Sequence, residues 1–294
     1  MAQPNFFSDL SLDPLFLSGL AVLTAQALYY AGVWFVGGRS QKERAMEGFE
    51  HVILSGVLFG IALILINLSL WGLNVYLDLA GVELPANSAI RILNQTKGWQ
   101  DFGSNMQAAL SVAEETYRSY ATASAAILAA YFGAVVATGV THWTAAISMA
   151  IMNVFAFLVT AATTVLLSSA VYAVAAVLAR TWPALLPVGA VLVAYERTRH
   201  LGAWLLAVSV VAPIVLAAGA DLLKYTVETE RLRYITDIDI IRFITSLSAI
   251  IASHIIDSLL ITMIVLGLIG LVLGVVTYAA SRLFDHAGAS LSLE

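Results

Sequence analysis

The chain has 294 residues; 60% belong to the apolar class, only 11% are charged, and the formal net charge is −5. Mean hydropathy is +0.89 and the isoelectric point is about 5.5. A soluble domain carries roughly 25% charged residues, so the composition excludes one and predicts an all-α, polytopic integral membrane protein. There is no basic tail for nucleic acid or anionic lipid. The absence of cysteine excludes disulfides, thiol catalysis and cysteine-ligated metal.

A spanning helix needs about 20 mostly apolar residues, because the hydrocarbon core is about 30 Å thick and a helix rises about 1.5 Å per residue. The N-terminal residues carry Asp9 and Asp13 and no basic residue, unlike a cleavable signal peptide. Residues 15–36 predict the first span and residues 52–73 the second. Arg39, Lys42 and Arg44 lie in the short segment between them. The positive-inside rule places that segment in the cytoplasm of a cell-membrane protein, and the N-terminus outside.

Residues 74–118 then read as an external loop, the largest polar region of a single membrane domain covering 1–294. Its second half has helical periodicity. Trp99, Phe102, Met106, Ala109, Leu110, Ala113 and Tyr117 share one face, which predicts a helix lying on the membrane or on a partner. Asn94-Gln95-Thr96 is a glycosylation sequon. The third span, 119–140, is built from small residues. Ala125, Ala129, Gly133 and Ala137 are four apart, and Gly270 and Gly274 repeat the spacing in the last span. Small stripes let helix backbones approach closely, either within the chain or between copies of a homo-oligomer.

The apolar run 143–179 is too long for one perpendicular span. It contains Asn153 and the hydroxyls Thr160, Thr163, Thr164, Ser168 and Ser169, and ends at Arg180. The hydroxyls either line a hydrated lumen or bond back to their own helix carbonyls. Residues 184–195 hold Pro187 and Gly189 and are too short to span, which predicts a re-entrant or interfacial hairpin. The alternative is a seventh span over 168–194, at a cost of about 2.5–3.5 kcal/mol for Arg180 near its middle. Residues 201–220 form the next span. The charged stretch 221–242 is expected in the cytoplasm and leads into an amphipathic helix over 234–257. Residues 258–280 form the last span, before a tail over 281–294 that is expected to be disordered.

No phosphate loop, nucleotide fingerprint or paired-carboxylate constellation is present, so no catalytic residue, cofactor or metal is expected. His254 and Asp257 share one helix face and could relay protons. Gln26, Asn67 and Asn153 each read as a helix–helix hydrogen bond. The most unusual segment runs from Pro187 to Gly202. Pro187 and Gly189 predict a hinge; Arg197, Thr198, Arg199 and His200 form a compact basic turn before the next span. That turn either sets topology only or contacts an anion or a partner.

The pattern Pro187-Val188-Gly189, then Thr198, Arg199 and Gly202, then a span ending near Pro213, resembles an archaeal family. The family comprises polytopic membrane components of DNA-import (Ced-type) and conjugation-like machines, similar to the inner-membrane channel subunit of type IV secretion systems. The motif covers about a tenth of the chain, and this chain has Ala194-Tyr195-Glu196 where the family often carries a basic residue. The resemblance implies a homo-oligomeric channel or platform working beside a secretion-type ATPase and pilin-like subunits, with single-stranded DNA as substrate. The alternatives are an ion or small-solute transporter, with the hydroxyls, His254 and Asp257 on its path, and a membrane scaffold without a conduit.

Overall fold

A computed structural model describes residues 14–80, 88–94, 99–139, 149, 156–226 and 249–291. The elements among them are all helical: α1 (Pro14–Val36), α2 (Arg39–Ala80), α3 (Ala89–Asn94), α4 (Trp99–Gly139), α5 (Ala156–Ala179), α6 (Trp182–Ala194), a 3-10 turn (Glu196–Thr198), α7 (Arg199–Thr226) and α8 (Ala249–Leu291). Six of them, α1, α2, α4, α5, α7 and α8, are long and apolar enough to cross a membrane. The protein is an all-α, multi-pass membrane protein.

Three sequence expectations need correction, and one alternative, the third below, is set aside. First, α4 is one unbroken helix of 41 residues, so the expected external helix and the expected third span are a single element. Arg118 marks no boundary: it reaches back one turn to Glu114 at 2.6 Å and stays 71% exposed. The apolar stripe of the first half is not free for a membrane or a partner. Met106, Ala109, Leu110, Ala113 and Tyr117 are all buried inside the protein. Second, α2 begins at Arg39 and runs to Ala80, so part of the expected loop is helix. Third, no single helix crosses 168–194. The amides of Arg180 and Thr181 close tight i→i−3 bonds to Val177 and Leu178, and the Thr181 carbonyl then accepts from Ala184 and Leu185 to start α6. Pro183, in the first turn of α6, costs no helical hydrogen bond there. Fourth, the tail is helical to Leu291, with Phe284 buried. The sequon's last two residues, Asn153 and most of the stretches 221–242 and 234–257 lie outside the described residues.

The chain divides into two compact units, one of Met1–Ser111, Ala176–Ala217 and Leu271–Glu294, the other of Val112–Ala175 and Ala218–Gly270. In the first, α1 and α2 pair antiparallel and α6 packs on both. Their register is set by rings seated on glycines. A side chain on Gly19 would collide with the Phe59 ring, and one on Gly48 with the Tyr30 ring. The second unit uses the same device. Gly219 leaves room for the Tyr117 hydroxyl and for Ile269, and Gly270 for the Tyr172 hydroxyl, which donates to the Leu266 carbonyl at 2.8 Å. In lipid, where apolar surface gains nothing by leaving the solvent, such close fits hold helices together.

Candidate functional site

The segment from Pro187 to Gly202 folds as two helices joined by a short turn. Pro187 and Gly189 do not break the chain: both lie buried inside α6. Pro187, the sixth residue of α6, lies inside the helix; it forgoes one i→i−4 hydrogen bond without ending the helix. The break falls at Tyr195, which is extended (φ −96, ψ 126). Gly189 and Gly202 lie at the crossing point of α6 and α7. A Cβ on Gly202 would lie 2.8 Å from the Gly189 carbonyl oxygen, and one on Gly189 would lie 2.9 Å from the Leu206 nitrogen. Backbone meets backbone here because neither residue has a side chain.

Thr198 is a cap. Its hydroxyl donates to the Leu192 carbonyl at 2.8 Å, satisfying one of the acceptors that the C-terminus of α6 leaves open. Arg199, partly buried, opens α7; its side chain lies against Gly288 of α8. The His200 side chain is 86% exposed, with Nδ1 3.1 Å from Asp285, an ion pair only when the imidazole is protonated. Arg197 is exposed. Of the four predicted contact residues, Arg197 and His200 therefore present most of their surface outward. Thr198 is consumed in holding the turn.

Beside this turn lies a groove that sequence reasoning missed. It has a volume of about 890 Å³ between the end of α1 and the start of α2. Leu28, Val33 and Val36 line its α1 wall; Arg44, Glu47 and His51 line its α2 wall. Tyr30 and Tyr195 form its floor, their hydroxyls 2.6 Å apart, and the His51 ring lies 4.9 Å from the Tyr195 ring. Gly32 and Gly48 also line it. The partners in this cluster stand 165 residues apart in sequence, so no local pattern announces it. The adjacent tyrosines at 29 and 30, facing a basic turn, were the only available signal.

The other candidates separate. Ala125, Ala129 and Ala137 are exposed and Gly133 is partly buried, so this stripe points away from the chain's own packing. Gly270 seats Tyr172, whereas a side chain at Gly274 would meet nothing within 4 Å. Thr160, Thr163 and Thr164 each donate to a carbonyl one turn back in α5, at 2.7–3.1 Å; Ser169 does the same, and Ser168 is partly buried. Asn67 donates to Leu63 within its own helix, at 3.0 Å, rather than across helices. The Gln26 side-chain oxygen is buried without a hydrogen bond among the described residues. Asp257 is exposed, and the side chain of His254 lies outside the described residues. Asp221, first residue of the expected charged stretch, is instead only 2% exposed. Among the described residues, no group of three or more His, Cys, Asp or Glu side chains is placed to hold a metal.

No family model, no curated protein and no solved structure matches the chain.

Proposed function

We propose that the protein is an oligomeric channel or platform subunit of a DNA-translocating machine, import or conjugation-like, in the cell membrane with its N-terminus outside. A separate secretion-type ATPase would drive it and pilin-like subunits would assemble with it. The observation that carries the reading is the closely packed α6–α7 turn. Two glycines bring the helices to backbone contact, Thr198 caps the first, and Arg197 is left exposed at the edge of a helix too short to span. A guanidinium held on such a turn suits a phosphate or carboxylate, because its donors form a planar fork. The outward-facing Ala125, Ala129 and Ala137 support a homo-oligomer. Such a subunit needs no catalytic group. A solute transporter gains less support, since the threonines of α5 spend their donors on their own helix.

The test is the double variant Arg197→Lys/Arg199→Lys, scored for single-stranded DNA transfer at matched membrane levels. The reading expects a loss of transfer with insertion and assembly unchanged. Wild-type transfer would reduce the arginines to topology markers, and loss of ion or small-solute flux with DNA transfer intact would favour a transporter.

A further inference from the structure

The groove between α1 and α2 has two unlike walls, and that asymmetry identifies an occupant. One wall is apolar (Leu28, Val33, Val36) and the other carries Arg44 and Glu47, one helical turn apart. Arg44 and Glu47 are both exposed, and neither makes an ion pair among the described residues. Below the groove, Leu17, Leu20, Thr24 and Leu28 recur at spacings of three and four on α1 and are all exposed, giving an apolar track that leads into it. The groove lies at the end of the first candidate span, Leu17–Val36, close to the membrane boundary. Tyr30 and Tyr195 meet where α6 ends, where α7 is about to begin and where the apolar run of α2 starts at Val52. Tyrosines prefer that boundary because the ring is apolar and the hydroxyl is wet. From Tyr30, α1 continues roughly 9 Å further, to the apolar end of the span at Val36.

We propose that this groove binds one phospholipid with a zwitterionic aminophosphate headgroup. Arg44 and the tyrosine hydroxyls meet the phosphate, Glu47 meets the ammonium, and the acyl chains follow the α1 track. One positive and one negative side chain on the same wall match a headgroup of zero net charge better than an anionic one. This inference does not rest on the DNA-translocation reading.

Gly32 supplies the discriminating variant. A Cβ there would meet nothing within 4 Å, so Gly32→Leu starts from open space and projects its side chain into the groove. Wild type, Gly32→Leu and Glu47→Gln would be purified in mild detergent. Each would be examined by native mass spectrometry and thermal unfolding with phosphatidylethanolamine, phosphatidylglycerol or inorganic phosphate. Wild type should retain one phosphatidylethanolamine per chain and melt higher with it than with phosphatidylglycerol. Gly32→Leu should melt like wild type in detergent alone and lose the retained lipid. Glu47→Gln should shift the preference towards phosphatidylglycerol by about tenfold, the size of one charge-assisted hydrogen bond. Equal retention by Gly32→Leu, equal stabilisation by both lipids, or the full shift from inorganic phosphate alone would each overturn the proposal.

Discussion

Replacing Gly202 by alanine should destabilise the protein even though alanine is the better helix former. The added Cβ would lie 2.6 Å from the Leu192 carbonyl carbon, 2.8 Å from the Gly189 carbonyl oxygen and closer still to the Val193 nitrogen. Carbon contacts are optimal at about 3.5–4.0 Å, so α6 and α7 must part by about 1 Å. All three obstructing atoms are backbone and cannot swing aside. Overpacking of this kind costs about 1–3 kcal/mol, and the higher helix propensity of alanine returns about 1 kcal/mol. The net loss is about 0–2 kcal/mol, towards the upper end because every obstructing atom is backbone. Gly189→Ala meets the Leu206 backbone nitrogen at 2.9 Å, which cannot swing aside either, so it should also destabilise, by less than Gly202→Ala. Gly267→Ala in α8 meets nothing within 4 Å and should gain up to about 1 kcal/mol. The assay is unfolding in mixed detergent micelles with increasing denaturing detergent, followed by helical circular dichroism and tryptophan fluorescence. The order Gly202 below Gly189 below Gly267 is the result to check. Gly202→Ala as stable as Gly267→Ala would refute a backbone crossing at this point.

Thr198→Val keeps the shape of the side chain but removes the donor to Leu192, and should cost about 1 kcal/mol in the same assay; an unchanged midpoint would remove its role as a cap. Tyr172→Phe removes the hydrogen bond to Leu266 while keeping the ring and should cost about 0.6 kcal/mol, the average for such bonds between membrane helices. Ala129→Leu, on an exposed position, should leave the monomer's unfolding unchanged and reduce assembly size in gel filtration; normal assembly would exclude this stripe as an oligomer interface. In intact cells a cysteine at Asn94 should react with an impermeant thiol reagent and one at Gln41 should not, and the reverse pattern would invert the topology.

Six spans were legible because a bilayer imposes a simple demand: about 20 apolar residues in a row. Their ends were not, because a helix can continue after the bilayer stops. Arg39 to His51 and Trp99 to Arg118 are too polar to count as membrane sequence, yet both are helical extensions of spans. The apolar periodicity of residues 99–117 predicts a helix face, and α4 is helical there; what the face meets is a matter of tertiary packing, and from Met106 to Tyr117 it is buried within the protein. The break expected at Pro187 and Gly189 falls instead at Tyr195, for a related reason. Proline and glycine suggest a bend when viewed along the chain, while the glycines serve a second helix lying across them. Tyr30, His51 and Tyr195 gather only after α6 has folded onto α1 and α2, which no spacing rule reports.

The ring seats have a mechanical consequence. Between α1 and α2 they are reciprocal: Gly19 of α1 receives Phe59 of α2, and Gly48 of α2 receives Tyr30 of α1. Each acts as a detent. To slip one helix past the other by a single turn, about 5.4 Å, both rings must be lifted from their notches at the same moment, one near each end of the hairpin. Sliding is therefore locked from both sides, while rocking of the pair as one lever leaves both rings seated. Whatever stroke this unit makes, α1 and α2 make it together.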